Sequence, residues 1–108
     1  MPTMQDTLSV AANAVSANVL AGQLYEFVPS GARVTLAALG AATGMRVTLI
    51  NGVPVVNDQA IAFVAASQFP IIPDHIVTQF AAPGGRLVLT FRNTTAGAIV
   101  TGWRIDLG

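Results

Sequence analysis

Residues 83–108, PGGRLVLTFRNTTAGAIVTGWRIDLG, decide the fold class. Leu87, Leu89 and Phe91 alternate with Arg86, Val88, Thr90 and Arg92. Successive strand side chains point to opposite faces, so the run has one apolar and one more polar face. Turn-forming residues Asn93-Thr94-Thr95-Ala96-Gly97 interrupt it. A second alternation then sets Ile99, Thr101, Trp103, Ile105 and Leu107 against Ala98, Val100, Gly102, Arg104 and Asp106. Two such runs around a short Gly-containing loop predict an antiparallel hairpin. A hairpin alone is marginal in water, so the rest of the chain must cover its apolar face.

Working outward, residues 75–80 (HIVTQF) read as a strand with Ile76, Thr78 and Phe80 on one side, and residues 81–85 as a turn. Residues 67–75 hold an extended loop, Phe69-Pro70-Ile71-Ile72-Pro73-Asp74, whose apolar side chains look exposed. Residues 33–39 put Val34 and Leu36 opposite Arg33 and Thr35. Residues 45–50 put Val47 and Leu49 opposite Arg46 and Thr48, and residues 40–44 form a small-residue loop between the two strands. Asn51-Gly52 predicts a tight hairpin to residues 53–56, with positive φ at both central residues as a type I′ turn requires. Pro54 cannot donate to a ladder, which places that strand at an edge or starts it beyond the proline. Asn57-Asp58-Gln59 reads as a further turn, and residues 60–66 as strand or a helical turn. Upstream, residues 23–28 (QLYEFV) form a strand stopped by Pro29-Ser30-Gly31. Residues 10–21 are Ala-rich; Val15, Ala17 and Val19 alternate with Ser16 and Asn18, which favours strand over helix. Residues 1–7 read as an extended arm without the positive start of a signal peptide. Residues 7–25 carry no charge, yet Asn13, Ser16, Asn18, Gly22 and Gln23 make them too polar for a membrane span. No repeat with a period of about 20–50 residues occurs. Seven to nine short strands separated by turns predict one all-β domain over residues 1–108, an antiparallel β-sandwich of jelly-roll-like form.

The 108 residues suit one domain with a proper core. No cysteine is present, which excludes disulfides, thiolate metal sites and a cysteine nucleophile. Charged residues are only 9% against 53% hydrophobic, where ordinary soluble domains carry about 25% charged. All 5 basic residues are Arg, balanced by 5 acids. Weakly charged, neutral surfaces associate, and interface cores are depleted in Lys and Glu and enriched in Arg. Much of this surface is therefore expected to be covered. A GC-rich genome accounts equally for the absent Lys, and less well for the scarce acids. With no excess of basic residues, nucleic-acid binding by counterion release has little to work with.

Candidate chemistry is sparse. His75 is the only histidine, and neighbouring Asp74 points to the opposite face of a strand. Ser9, Ser16, Ser30 and Ser67 lie in no nucleophile elbow. Glu26, Asp58, Asp74 and Asp106 show no spacing that pairs them as glycosidases require. Pro83-Gly84-Gly85-Arg86 lacks the strand–loop–helix frame of a phosphate cradle. Asn93-Thr94-Thr95 matches the N-glycosylation acceptor pattern but reads as a loop. Trp103 shares a face with Ile99 and Ile105, as a core residue or an interface or sugar-stacking anchor. No catalytic residue, cofactor or metal site is expected, and no enzyme activity. Arg33, Arg46, Arg86 and Arg92 alternate with apolar residues, each on the non-core face of its strand. Arg on a face of Thr, Ala and Val resembles a docking surface, with simple solubility as the plainer alternative.

A short Ala/Thr/Val-rich chain of strands with NG and GG turns, a FPxxPD loop and the RLVLTFRN…WRIDL run is similar to small bacteriophage virion proteins. These are jelly-roll-type capsid subunits and the cement or decoration proteins that sit on capsid shells. The resemblance implies a non-enzymatic structural role: a homo-oligomer, assembled in the host cytoplasm and resident in the virion, that clamps a major capsid protein or other virion subunit. Such interfaces bury ~2,000 Å² or more when obligate. The expected contact residues are Arg33, Arg46, Phe69, Ile71, Ile72, Arg86 and Arg92, with the arm. Neither nucleic acid nor membrane is an expected partner. The second reading is a carbohydrate-binding or adhesin-type β-sandwich using Trp103 and Tyr25.

Overall fold

The computed structural model describes residues 3–23, 26–63 and 76–108. Among these residues no helix forms. The strands are β1 (Thr3–Val10), β2 (Phe27–Val28), β3 (Arg33–Gly40), β4 (Met45–Asn51), β5 (Val53–Ala60), β6 (Ala62–Phe63), β7 (Ile76–Ala81), β8 (Gly85–Arg86), β9 (Val88–Asn93) and β10 (Ile99–Leu107). Three are two-residue pieces and seven are six residues or longer.

The long strands form two sheets. One runs β1-β10-β3, with β7 antiparallel and the short β6 parallel along the far side of β3. The other runs β5-β4-β9. Residues 14–19 lie along the free side of β9: Ser16 N donates to Phe91 O at 2.8 Å, Val19 N to Leu89 O at 2.9 Å, and Asn93 N to Ala14 O at 2.9 Å. Only Val15, opposite Arg92, makes a regular bridge there. Side chains complete the ladder. Ser16 Oγ accepts from Phe91 N, and Asn18 Oδ1 from Leu89 N, both at 2.9 Å. Taking residues 14–19 with the strands of six residues or more, the chain alternates between sheets at every step except the β4–β5 hairpin, and the first and last strands lie side by side. That is the antiparallel jelly-roll sandwich, two Greek keys wound together.

The hairpin expected over residues 83–108 does not form. β9 pairs with β4, whereas β10 pairs with β1 and β3. The loop after Asn93 crosses from one sheet to the other. Alternation correctly assigned the faces, since Leu87, Leu89, Phe91, Trp103 and Ile105 are each at most 1% exposed. They meet Val34, Leu36, Val47 and Leu49 in one core. Burial of this order, worth about 1.5–3 kcal/mol per large apolar side chain, is what holds the two sheets together. β3 is central in its sheet, and Val34 to Gly40 are buried on both faces, Thr35 included.

Four other local expectations change. Residues 3–7 are the start of β1, in unbroken register with β10, so the predicted arm is an edge strand over that part. Asn51-Gly52 does join β4 to β5, but only Gly52 has positive φ (+76°). Asn51 stays in the strand because its side chain turns inward and Nδ2 donates to Arg86 O at 3.0 Å. Asn57-Asp58-Gln59 lies inside β5. The register shifts between Val47 and Leu49, so Asn57 and Asp58 form a bulge opposite Thr48, with Asp58 at φ +52°. Pro54 is on an edge strand, as its missing N–H requires. Of the strand expected at residues 23–28, Phe27–Val28 is strand, while Gln23 N closes a turn on Leu20 O.

Candidate interaction surface

The outward face of the β5-β4-β9 sheet is built from cross-strand pairs: Arg46 opposite Arg92, Thr48 opposite Thr90, and Ile50 opposite Val88. The β5 bulge delivers Asp58 to the two arginines. Arg92 grips it with two bonds, Nε to Oδ1 at 2.9 Å and Nη2 to Oδ2 at 2.6 Å. Arg46 Nε donates to Asp58 O at 2.7 Å and stands 3.3 Å from Oδ2. The hydrogen bonds from Arg92 hold the Asp58 carboxyl below the usual carboxylate range and raise the Arg92 guanidinium in turn. Thr48 Oγ1 accepts from Asp58 N at 3.0 Å, so the bulge is fixed on both sides.

At the far end of this sheet, β2 and β8 pair Phe27 with Arg86. Arg86 Nε donates to Glu26 Oε2, and Gly22 N donates to Glu26 Oε1 at 2.9 Å. The Gly22 bond and then Arg86 lower the Glu26 carboxyl. Phe27 is 66% exposed and Val53, in the neighbouring β4–β5 turn, 60%. Across the molecule, Arg104 pairs with Asp106 at 2.9 Å, and Asp106 accepts from Thr3 Oγ1 at 2.9 Å. Arg33 lies on this other sheet, where its Nη2 reaches Gln79 Oε1 at 3.5 Å.

Of the arginines singled out in the sequence, Arg46 and Arg92 thus come together, Arg86 stands on the same sheet's end, and Arg33 belongs elsewhere. Phe69, Ile71 and Ile72 lie outside the described residues, as do Tyr25, Asp74 and His75. Trp103 is 1% exposed and is core, so it offers no platform for a sugar ring. Asn93, of the glycosylation pattern, is also buried. Its Nδ2 donates to Val10 O at 3.0 Å and Gly97 O at 2.7 Å, and its Oδ1 accepts from Thr95 N and Thr95 Oγ1. The amide is spent on tying the sheet-crossing loop to the end of β1. Among the described residues no group of three His, Asp or Glu side chains gathers as metal ligands.

Sequence reasoning missed Asp58 and Glu26 as the groups that pair with the outward arginines Arg46, Arg86 and Arg92. No local signal marks them: Glu26 meets Arg86 across 60 residues and Asp58 meets Arg92 across 34. No protein-family model matches the chain, and neither does any curated protein.

Proposed function

We propose that the protein is a structural virion component, a capsid cement, decoration or minor capsid protein that self-associates and covers neighbouring subunits with its sheet faces. One observation carries the reading. Four of the five arginines pair with acids, Arg46 and Arg92 sharing Asp58, and they leave an outward sheet wall of Thr, Val and Ile between Arg46, Arg92 and Arg86, with bare Phe27 and Val53 at its end. Such a wall repels few partners and has little need of water. An interface core has this composition, depleted in Lys and Glu and retaining Arg. The jelly roll supplies the rigid double layer on which such a wall stands.

The carbohydrate-binding alternative loses its main support with Trp103 in the core. An antibody to the chain, applied to purified particles from the source culture under the electron microscope, tests the proposal. Regular labelling of intact shells is the expected result. Protein confined to the soluble fraction, with unlabelled shells, would overturn it.

A further inference from the structure

The two sheets leave three strand edges without a neighbour among the described residues, and two of them are spoiled for pairing. β5 carries Pro54, which has no N–H, and two register shifts, one at the left-handed Asp58. Natural edges are blunted by such prolines and bulges. β7 pairs with β3 through a shift between Leu36 and Ala37. β1 differs. Eight consecutive residues, Thr3 to Val10, run in unbroken register against β10. The outward row Thr3, Gln5, Thr7 and Ser9 is exposed and uncharged. A regular, exposed edge of this length is a template for another strand.

We propose that β1 pairs antiparallel with β1 of a second copy about a two-fold axis at Thr7, joining two sheets into one. This rests on the self-association proposed above and specifies its geometry. A two-fold between antiparallel edges stands perpendicular to the sheet, so facing residues must share a face and each register is centred on one residue. Only centres at Asp6 and Thr7 keep seven residues of each β1 paired. The Asp6 centre sets two carboxylates opposite each other, and like charges in that position are destabilising. The Thr7 centre sets Met4 against Val10, Gln5 against Ser9, and Asp6 against Leu8. Apolar core-row ends then meet apolar ends, polar outer-row residues meet polar ones, and each Asp6 keeps clear of its copy. Asp6, an exposed charge on the core-facing row, selects the register here.

The absence of cysteine makes the register directly readable. Facing Cα atoms in an antiparallel pair stand about 4.5–5.5 Å apart, within disulfide reach. Thr7→Cys, Gln5→Cys and Ser9→Cys are prepared in the full chain and oxidised with diamide. Thr7 is exposed, and melting curves identify any variant that does not fold. The expected result is a cross-linked dimer from Thr7→Cys alone, from neither Gln5→Cys nor Ser9→Cys alone, and from a mixture of those two. A monomeric wild-type chain by light scattering overturns both this pairing and the self-association. An oligomer in which Thr7→Cys stays uncrosslinked, or in which all three variants cross-link equally, overturns the pairing and leaves the self-association standing. Should Thr7→Cys fail to fold, the Gln5→Cys and Ser9→Cys mixture decides alone.

Discussion

Arg46 and Arg92 stand directly opposite one another on β4 and β9, and both guanidinium groups end on Asp58. Two like charges facing across a ladder oppose pairing. The β5 bulge brings the carboxylate that reverses the sign. The anchor is geometric: Asp58 is held at φ +52° by Thr48 below and Arg92 above.

Asp58→Asn tests this directly. Asparagine tolerates the left-handed backbone, so the substitution removes charge and keeps the bulge. We expect a modest fall in melting temperature at low salt. It should shrink near 1 M salt, where the screening length is about 3 Å. It should also be partly reversed by adding Arg46→Gln, which removes the opposed cation. A fall unchanged by salt and by the second substitution would mean that the bulge, not the charge, was damaged.

The same groups set the acid limb. In the folded chain the Asp58 and Glu26 carboxyls titrate below their ordinary range, through Arg92 and through Gly22 with Arg86 respectively. A depressed folded pKa contributes stability that is full above the unfolded-state value and lost as pH falls through the folded one. Stability should therefore decline from the ordinary carboxylate range downward. The Asp58→Asn/Glu26→Gln double variant should show a flatter decline, measured by urea denaturation at stepped pH. Parallel pH profiles for the double variant and the parent would contradict the assignment.

Asn18 completes the ladder of β9 in place of a backbone carbonyl, accepting from Leu89 N at 2.9 Å and from Leu20 N at 3.1 Å. Asn18→Ala orphans the buried Leu89 N–H, and a loss of about 1–3 kcal/mol is expected. Asn18→Asp keeps both acceptor contacts but replaces the Nδ2 donor to Leu87 O, at 3.3 Å, by a carboxylate oxygen, so it too should remain below the parent. Urea midpoints with unchanged slope check both losses.

The alternation of apolar and polar residues made most of the core legible: Leu87, Leu89, Phe91, Trp103, Ile105, Val47 and Leu49 face inward as their spacing required. It could not name partners. A strand's pattern says which face is apolar, and β9 and β10 present the same pattern whether they pair with each other or cover each other from opposite sheets. The turn signal at Asn57-Asp58 failed for a related reason, since tolerance of positive φ serves a bulge as well as a turn. The Arg residues were legible as outward-facing. Their acids were not, because the pairings arise only once the sheets are wound. Ser16 and Asn18 read as the polar side of a strand, yet they act as acceptors for the backbone of β9.

Gly44 separates backbone from packing effects. Its φ is +101°, and a Cβ there would stand 2.5 Å from Thr95 Cγ2, whereas at Gly52, φ +76°, nothing lies within 4 Å. Gly52→Ala should cost about 1–2 kcal/mol from the left-handed backbone alone. Gly44→Ala should cost more, and adding Thr95→Ser, which removes Cγ2 and keeps the hydroxyl on Asn93 Oδ1, should recover part of the excess. Equal losses at the two glycines would contradict the crowding of Gly44 against the sheet-crossing loop.

The central claim is that a chain with so few charges, most of its arginines already paired with its own acids, buries its outer walls against other copies. Light scattering of the purified protein over a wide concentration range tests it most directly. A native mass at a fixed multiple of 11.1 kDa, held on dilution, is the predicted result. A mass of 11.1 kDa at every concentration, without association or precipitation, would contradict it.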